Sequence, residues 1–200
     1  KHGLILVFDE VITGFGRMGT PFATQKFNVK PDIITMAKAL TNGAIPMGGV
    51  AVTDEIYDTI TNSAPDNAIE FFHGYTYSAH PAACAAGIAT QKIYQDEGLF
   101  ENAAALEDYF LDAMWTLEDH PLVADIRGIG MMAGIEVHSD GAPGRRGGNM
   151  QKAMFWNGLH VKWTGDNAIV APAFVAERHH IDEIVEKFRK TLDQALEEKK

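Results

Sequence analysis

The 200-residue sequence contains only one cysteine, Cys84, so it can form no disulfide within the chain. A lone thiol fits a reducing compartment, and we expect a cytoplasmic location. The sequence also lacks any apolar run approaching the ~20 residues that a membrane-spanning helix needs, and no signal-peptide pattern opens it. We therefore expect no association with a membrane.

Basic residues are scarce as well. The sequence contains 17 Lys and Arg and 27 Asp and Glu, which gives a net charge of −10. Surfaces that bind nucleic acids or anionic lipids need clustered basic side chains, so the charge argues against both. The 46% hydrophobic and 22% charged content is that of an ordinary folded domain. A small-molecule substrate is the better expectation.

The pattern of apolar runs predicts two domains of different character. The chain begins without Met and enters an apolar run after three residues, which predicts that an upstream region is missing. Residues 1–98 are predicted to be the C-terminal part of a large α/β domain with a mostly parallel sheet, with strands 4–8, 33–36 and 49–52 and helices 55–60 and 81–95. Residues 99–200 are predicted to form a smaller α+β domain, with helices 99–119, 150–157 and 179–198, strands 123–127, 131–137, 160–163 and 168–171, and a flexible loop 141–148.

Lys38 is the first candidate for chemistry, because it follows the predicted strand 33–36 at the edge where open α/β sheets bind ligands. Its neighbours in sequence are apolar, with no carboxylate to hold it cationic. Desolvation lowers the pKa of a lysine, and a neutral amine can form a Schiff base with an aldehyde cofactor. The alternative is a solvated, inert lysine.

Asp9 directly follows the first apolar run, so a neighbouring parallel strand would deliver its carboxylate to the same edge. Pyridoxal phosphate needs a lysine and an acidic partner for its pyridinium nitrogen, and Asp9 can supply that partner. An apolar strand ending in Asp-Glu also resembles the Mg²⁺-binding strand of P-loop ATPases. The phosphate loop of those enzymes occurs nowhere in the sequence.

Two further patterns have structural as well as functional interpretations. Residues 14–19 match G-x-G-x-x-G, the pattern of dinucleotide-binding loops, but they do not follow a strand directly or open a helix, which favours a tight loop with positive φ angles. The segment 76–81 offers hydroxyls and backbone N–H groups to an anion such as the cofactor phosphate, and N-capping by Ser78 or its neighbours is an equal alternative. A zinc site built from His73, His80 and Cys84 lacks any known ligand spacing, and no metal is expected.

Three motifs together identify a family. In order along the chain they are VFDEVITGFGRMG, PDIITMAKALTNGAIPMGGV and FFHGYTYSAHPAACAAG. They resemble the class III pyridoxal-phosphate aminotransferases of fold type I, and the likeness is closest to the ω-amino acid (β-alanine):pyruvate transaminases. GAPGRRG and VKWTGDNAIVAPAF extend it to nearly the whole chain. The upstream half of that family is not in this sequence.

The resemblance implies a role for five residues. Lys38 would hold pyridoxal 5'-phosphate as a Schiff base and shuttle the proton, Asp9 would pair with the pyridinium nitrogen, and Val11 would pack on the ring. Thr76 would bind the phosphate, usually that of the neighbouring subunit's cofactor, which implies a homodimer with a shared active site. Lys162 replaces the arginine that receives a substrate carboxylate in many relatives, and it keeps the charge without the bidentate fork.

The function implied by the resemblance is transfer of an amino group from an ω-amino acid such as β-alanine, or from an amine, to pyruvate. Two alternatives remain open. One is a non-catalytic fragment or subunit that acts through the interface of helix 81–95. The other is a different reaction, because the same lysine and aspartate also serve decarboxylases and racemases of this fold.

Overall fold

The computed structural model describes residues 2–197. The chain divides into two compact units, Lys1–Phe100 and Glu101–Lys200, close to the predicted boundary at residue 98. The assignment of these units to the large and small domains of a longer protein stays a prediction. The predicted end of the last helix, Glu198, lies outside the described residues. Among residues 2–197, no helix is both long and apolar enough to cross a membrane.

The first unit is built on a three-stranded sheet in the order β1–β2–β3. The strands are β1 (Val7–Asp9), β2 (Ile33–Met36) and β3 (Gly49–Val52). β1 pairs with β2 in parallel and β3 pairs with β2 antiparallel, so the α/β class is confirmed and the sheet of the described residues is mixed.

β1 is shorter than the predicted strand 4–8. Hydrogen bonds to the next strand begin at Leu6, whose carbonyl accepts the N–H groups of Asp32 (2.9 Å) and Ile33 (3.1 Å). Leu4 and Ile5 are 84% and 61% exposed. An apolar run forms a strand only where a neighbouring strand pairs with it, and among the described residues none pairs with Leu4 or Ile5.

Three helices complete the first unit: α1 (Ala23–Lys26), α2 (Asp54–Asn62) and α3 (Pro81–Asp96). α1 was not predicted, because four residues are too few to show a helical period. α3 begins with Pro81 in its first turn, as predicted, where the missing N–H has no helical partner to lose. Its buried residues recur at helical spacing and form one inward face, Ala83, Gly87, Thr90 and Tyr94.

The second unit has a four-stranded antiparallel sheet in the order β4–β5–β7–β6. The strands are β4 (Val123–Ile129), β5 (Met132–Val137), β6 (Lys162–Thr164) and β7 (Asn167–Val170). Alternate residues of β5 are buried, as expected for a strand with one face in the core. The unit's helices are α4 (Leu99–Trp115), α5 (Arg145–Trp156) and α6 (Arg178–Glu197), which confirms the α+β expectation.

The predicted flexible loop 141–148 is wrong over its second half, because α5 already begins at Arg145. The Asp166 carboxylate accepts the N–H groups of Gly144 (3.0 Å) and Gly147 (2.9 Å), which have no carbonyl partner in the first turn of a helix. A Cβ on Gly147 would overlap the carbonyl oxygen of Gly165. The glycines therefore allow the helix to approach the β6–β7 turn.

Candidate active site

The carboxyl ends of β1 and β2 bring the two predicted reactive segments to one edge of the first sheet. In the parallel register, Asp9 is paired with Thr35, and Lys38 follows Thr35 by three residues. The Thr35 hydroxyl lies 3.4 Å from Asp9 Oδ1 and donates to it. The edge predicted from the sequence therefore carries both segments.

One carboxylate oxygen of Asp9 has hydrogen-bond partners in the protein, and the other has none among the described residues. Oδ1 accepts the backbone N–H of Val11 at 3.0 Å, in addition to the Thr35 hydroxyl. The side chain is exposed, and within residues 2–197 no hydrogen bond or ion pair reaches Oδ2. Oδ2 can therefore accept a hydrogen bond from a ligand without giving up a protein partner. Val11 itself is half-buried.

Glu10 supports this strand end, a role that was not predicted from the sequence. Its side chain is 1% exposed, and its carboxylate accepts the N–H groups of Ala23 and Thr24, both at 2.9 Å, and the hydroxyl of Thr13. Successive side chains of a strand point to opposite faces, so an Asp9 that faces a ligand puts Glu10 on the protein side. That alternation was the signal available in the sequence.

Residues 14–19 form the tight loop that the sequence predicted. Phe15, Gly16 and Gly19 have φ angles of 61°, 108° and 71°. The N–H of Gly14 donates to the Glu10 carbonyl at 2.9 Å, and a Cβ on Gly14 would lie 2.8 Å from that oxygen. The loop does not open a helix, since α1 begins only at Ala23, so the dinucleotide-binding alternative loses its structural basis.

Lys38 opens a single turn of 3-10 helix, Lys38–Leu40, with an unusual backbone. Its φ angle is 43°, in the left-handed region that side chains other than Gly, Asn and Asp seldom adopt. Such strain often marks a functional position. Within the described part of the chain, its side chain is exposed and makes no hydrogen bond or ion pair. The apolar neighbours of Lys38 in sequence therefore do not bury its side chain within the described residues, because burial depends on packing that the local sequence does not show.

Two side chains of α3, also missed by the sequence analysis, reach the Lys38 turn. Tyr94 Oη donates to the carbonyl of Ala39 at 2.8 Å, and Gln91 Nε2 donates to the carbonyl of Leu40 at 3.2 Å. The helical period of residues 81–95 was a signal that these residues share a face with Gly87. Nothing in the sequence showed which segment that face contacts.

Thr76 lies in the segment between α2 and α3, where its side chain is exposed. The structure joins it to neither Asp9 nor Lys38 by a described hydrogen bond. Neither Ser78 nor a neighbour caps α3 with a side-chain hydrogen bond, so that alternative is wrong. The N-cap is His80, which makes no side-chain hydrogen bond to the helix. Among residues 2–197, no three His, Cys, Asp or Glu side chains form a group that could hold a metal.

Lys162 belongs to the second unit, in β6, where it is paired with Ile169. Its side chain is exposed, and no hydrogen bond or ion pair holds it within residues 2–197. The ammonium group is therefore available to a negatively charged ligand.

Comparison with known proteins decides the family. The family model described as aminotransferase class-III matches residues 1–192. The chain belongs to the class-III aminotransferases. An omega-aminotransferase from Caulobacter vibrioides is 50% identical to this class-III chain over 195 residues, which are 97% of the chain and 44% of that relative. A beta-alanine–pyruvate aminotransferase from Pseudomonas aeruginosa is 40% identical over 195 residues, 96% of the chain and 44% of that relative.

The fold agrees with the family. The crystal structure of an (S)-enantioselective omega-transaminase from Thermomicrobium roseum superposes on the chain with a TM-score of 0.89 and 40% identity, covering 97% of this chain and 44% of the other. The resemblance stated from the three motifs is thus confirmed. The class-III chain spans less than half the length of these relatives.

Class-III aminotransferases depend on pyridoxal phosphate, and two observations on this chain fit that cofactor. The free Oδ2 of Asp9 suits a protonated ring nitrogen, and the Lys38 side chain has no described partner that it must leave to react. Both groups extend from the same sheet edge. The chain thus supplies an amine and an acid, the two groups that pyridoxal phosphate requires.

Proposed function

We propose that this chain carries the reactive lysine and the acid of a pyridoxal-phosphate-dependent aminotransferase. The whole protein moves an amino group from an ω-amino acid such as β-alanine, or from a simple amine, to pyruvate. The observation that carries the proposal is the β1–β2 register, which puts Asp9 beside the strand that leads to Lys38. The names of the relatives from C. vibrioides and P. aeruginosa support the substrate class.

Each residue of the site has a task in this proposal. The cofactor, when bound, supplies an aldehyde for the amine and a ring that withdraws electrons. Lys38 Nζ would hold the cofactor through that aldehyde, and once the substrate amine has displaced it, the free Lys38 amine would take the proton from the substrate carbon and later return it. Asp9 Oδ2 would accept the ring N–H and keep that nitrogen protonated. Val11 would pack against the ring, and the Thr76 hydroxyl would donate to the phosphate.

The proposal includes a homodimer with shared active sites in the cytoplasm. Thr76 would bind the phosphate held mainly by the partner subunit. Its exposure within the first unit supports this, because a group on an outer segment is accessible to a second chain. Small residues of α3, among them Ala82, Ala85 and Ala86, would allow the two subunits to approach closely.

Lys162 is the proposed contact for a substrate carboxylate. A lysine ammonium attracts a carboxylate as a point charge, whereas arginine would grip it with two parallel hydrogen bonds. Since the side chain is exposed and has no described partner, its charge is available. We expect Lys162→Ala to raise the KM for pyruvate, and the exposed Lys190 offers a matched control.

The test is an amine-transfer assay on the natural full-length protein, with whatever sequence flanks residues 1–200. β-Alanine and pyruvate are supplied, and alanine and the aldehyde product are measured together. We expect equal amounts of both, and loss of both in Lys38→Ala but not in Lys30→Ala, which removes another exposed lysine. Release of CO₂ without alanine would indicate a decarboxylase, and inversion of an amino acid a racemase. No turnover of any of these kinds would leave the non-catalytic alternative.

A further inference from the structure

Helix α3 holds the two carbonyl groups that immediately follow Lys38. Tyr94 donates to the carbonyl of Ala39 (2.8 Å) and Gln91 to that of Leu40 (3.2 Å). The buried face of the helix passes close to the turn at Gly87. A Cβ there would lie 3.6 Å from Met47 Sδ and 3.7 Å from the Leu40 oxygen. The lysine turn is thus attached to an element more than 50 residues away in sequence.

Few hydrogen bonds within the turn itself stabilise its conformation. Inside it, the N–H of Leu40 donates to the Ala37 carbonyl at 3.0 Å and the N–H of Thr41 to the Lys38 carbonyl at 3.3 Å. Lys38 has a φ of 43°, which costs free energy, and its side chain makes no described contact that would offset this cost. Such a conformation persists only when the surrounding structure imposes it.

Tyr94 is suited to this task because it remains a hydrogen-bond donor. It is 4% exposed, and burial raises the pKa of its hydroxyl, while the charge of Arg17 lowers it. Burial likewise lowers the pKa of Arg17 to about 10, and the interaction with Tyr94 opposes that change. At neutral pH the phenol is therefore protonated and the guanidinium is charged. Arg17 belongs to the segment 11–22, which is followed by Ala23 and Thr24, whose N–H groups donate to the Glu10 carboxylate.

We propose that Tyr94 and Gln91 are positioning residues for Lys38, which hold its turn so that Nζ meets the reacting carbon in the right geometry. The inference rests on the proposed function, because it concerns the same lysine. A small displacement of a reacting group reduces rate strongly, whereas it changes substrate binding little. The two residues should therefore act on kcat rather than on KM.

The experiment compares hydroxyl deletions at two tyrosines of the natural full-length protein loaded with pyridoxal phosphate. Tyr94→Phe should lower kcat about tenfold with little change in KM, as expected for loss of one buried hydrogen bond that acts on the reaction geometry. The matched control is Tyr109→Phe, which removes a hydroxyl that donates to Asp182 at 2.5 Å in the other unit. It should leave kcat unchanged.

Two readouts separate positioning from a general loss of stability. With a donor deuterated at its amine-bearing carbon, Tyr94→Phe should increase the isotope effect on kcat, because proton transfer by Lys38 becomes slower. In the cofactor-free protein, the amides of Leu40 and Thr41 should exchange about tenfold faster, consistent with the loss of one hydrogen bond. Gln91→Ala should lower kcat and speed amide exchange in the same directions, each by about threefold. Its control is Gln95→Ala, on the exposed side of α3.

The outcomes are distinct. If Tyr94→Phe shifts Tm while kcat, the isotope effect and amide exchange stay at the native values, the positioning role is wrong. The same holds if Tyr109→Phe reproduces every change. If the native protein forms no adduct at Lys38 at all, the proposed function fails first, and the positioning role of Tyr94 and Gln91 fails with it.

Discussion

Asp9 is paired with Thr35 across the parallel strands β1 and β2, and the Thr35 hydroxyl donates to Asp9 Oδ1 at 3.4 Å. The position of the acid is thus set by backbone register and not by a flexible loop. A group placed by a sheet holds its geometry better than one on a mobile segment. Because the register fixes the position of Asp9, a substitution of similar size can test the role of its charge.

Asp9→Asn should lower kcat by about 100-fold or more, a loss typical of an essential electrostatic group in an active site. The amide is similar in size but cannot keep the ring nitrogen protonated. Because Asp9 is exposed, the free energy of unfolding should change little. The assay is steady-state amine transfer by the full-length protein, with Asp58→Asn on α2 as a control at another exposed carboxylate. Native kcat in Asp9→Asn would exclude the proposed pairing.

The left-handed backbone of Lys38 predicts an unusual order of stability. Lys38→Gly should be more stable to unfolding than Lys38→Ala by about 1 kcal/mol, because only glycine adopts a φ near 43° without steric cost. Elsewhere in ordered structure, alanine is usually the more stable residue. Urea unfolding of the two full-length variants measures the difference. Equal midpoints would mean that the turn is unstrained.

Gly147 and Gly148 should respond in opposite directions to the same substitution. Gly147→Ala should destabilise the second unit by about 3 kcal/mol, at the high end for overpacking, since the new methyl overlaps the Gly165 carbonyl. A methyl group on Gly148 would meet no other atom within 4 Å, so Gly148→Ala should stabilise the helix by about 0.5 kcal/mol. Chemical unfolding monitored by tryptophan fluorescence compares the two. Similar effects at both sites would contradict the packing of α5.

Much of the fold was predictable because its signals are local. The apolar runs predicted β2 and β3, and Pro81 predicted the start of α3. The start of α5 was not predictable in this way. Its glycines signal a loop, and the carboxylate that satisfies its first turn, Asp166, comes from the β6–β7 turn about 20 residues later.

The same distinction between local signals and contacts distant in sequence applies to the candidate site. Lys38 and Asp9 could be predicted as candidates because each follows an apolar run, and the two strands are paired in the structure. Gln91 and Tyr94 were missed because their contacts with the lysine turn cross more than 50 residues of sequence. The exposure of Lys38 was missed because burial is decided by what packs over a residue, which its neighbours in sequence do not determine.

Asp166 predicts how acid affects the second unit. The N–H of Gly147 lowers the pKa of Asp166 below its ordinary value of 3.8, burial opposes this, and the N–H of Gly144 lowers it further. The carboxylate therefore stabilises the folded state fully above the unfolded pKa, and this contribution is lost as pH falls through the lower folded pKa. Urea unfolding at several pH values should show Asp166→Asn less stable than the native protein at pH ~6, with a smaller gap below pH ~3. A gap independent of pH would contradict this.

The central claim is that Lys38 is the residue that binds the cofactor, and one measurement tests it most directly. The natural full-length protein is incubated with pyridoxal phosphate, reduced with borohydride, digested and analysed by mass spectrometry. We predict that the reduced cofactor is attached to the peptide that contains Lys38, and that Lys38→Ala carries none. A native protein without this adduct, or a Lys38→Ala variant that carries it on another lysine to the same extent, would contradict the account.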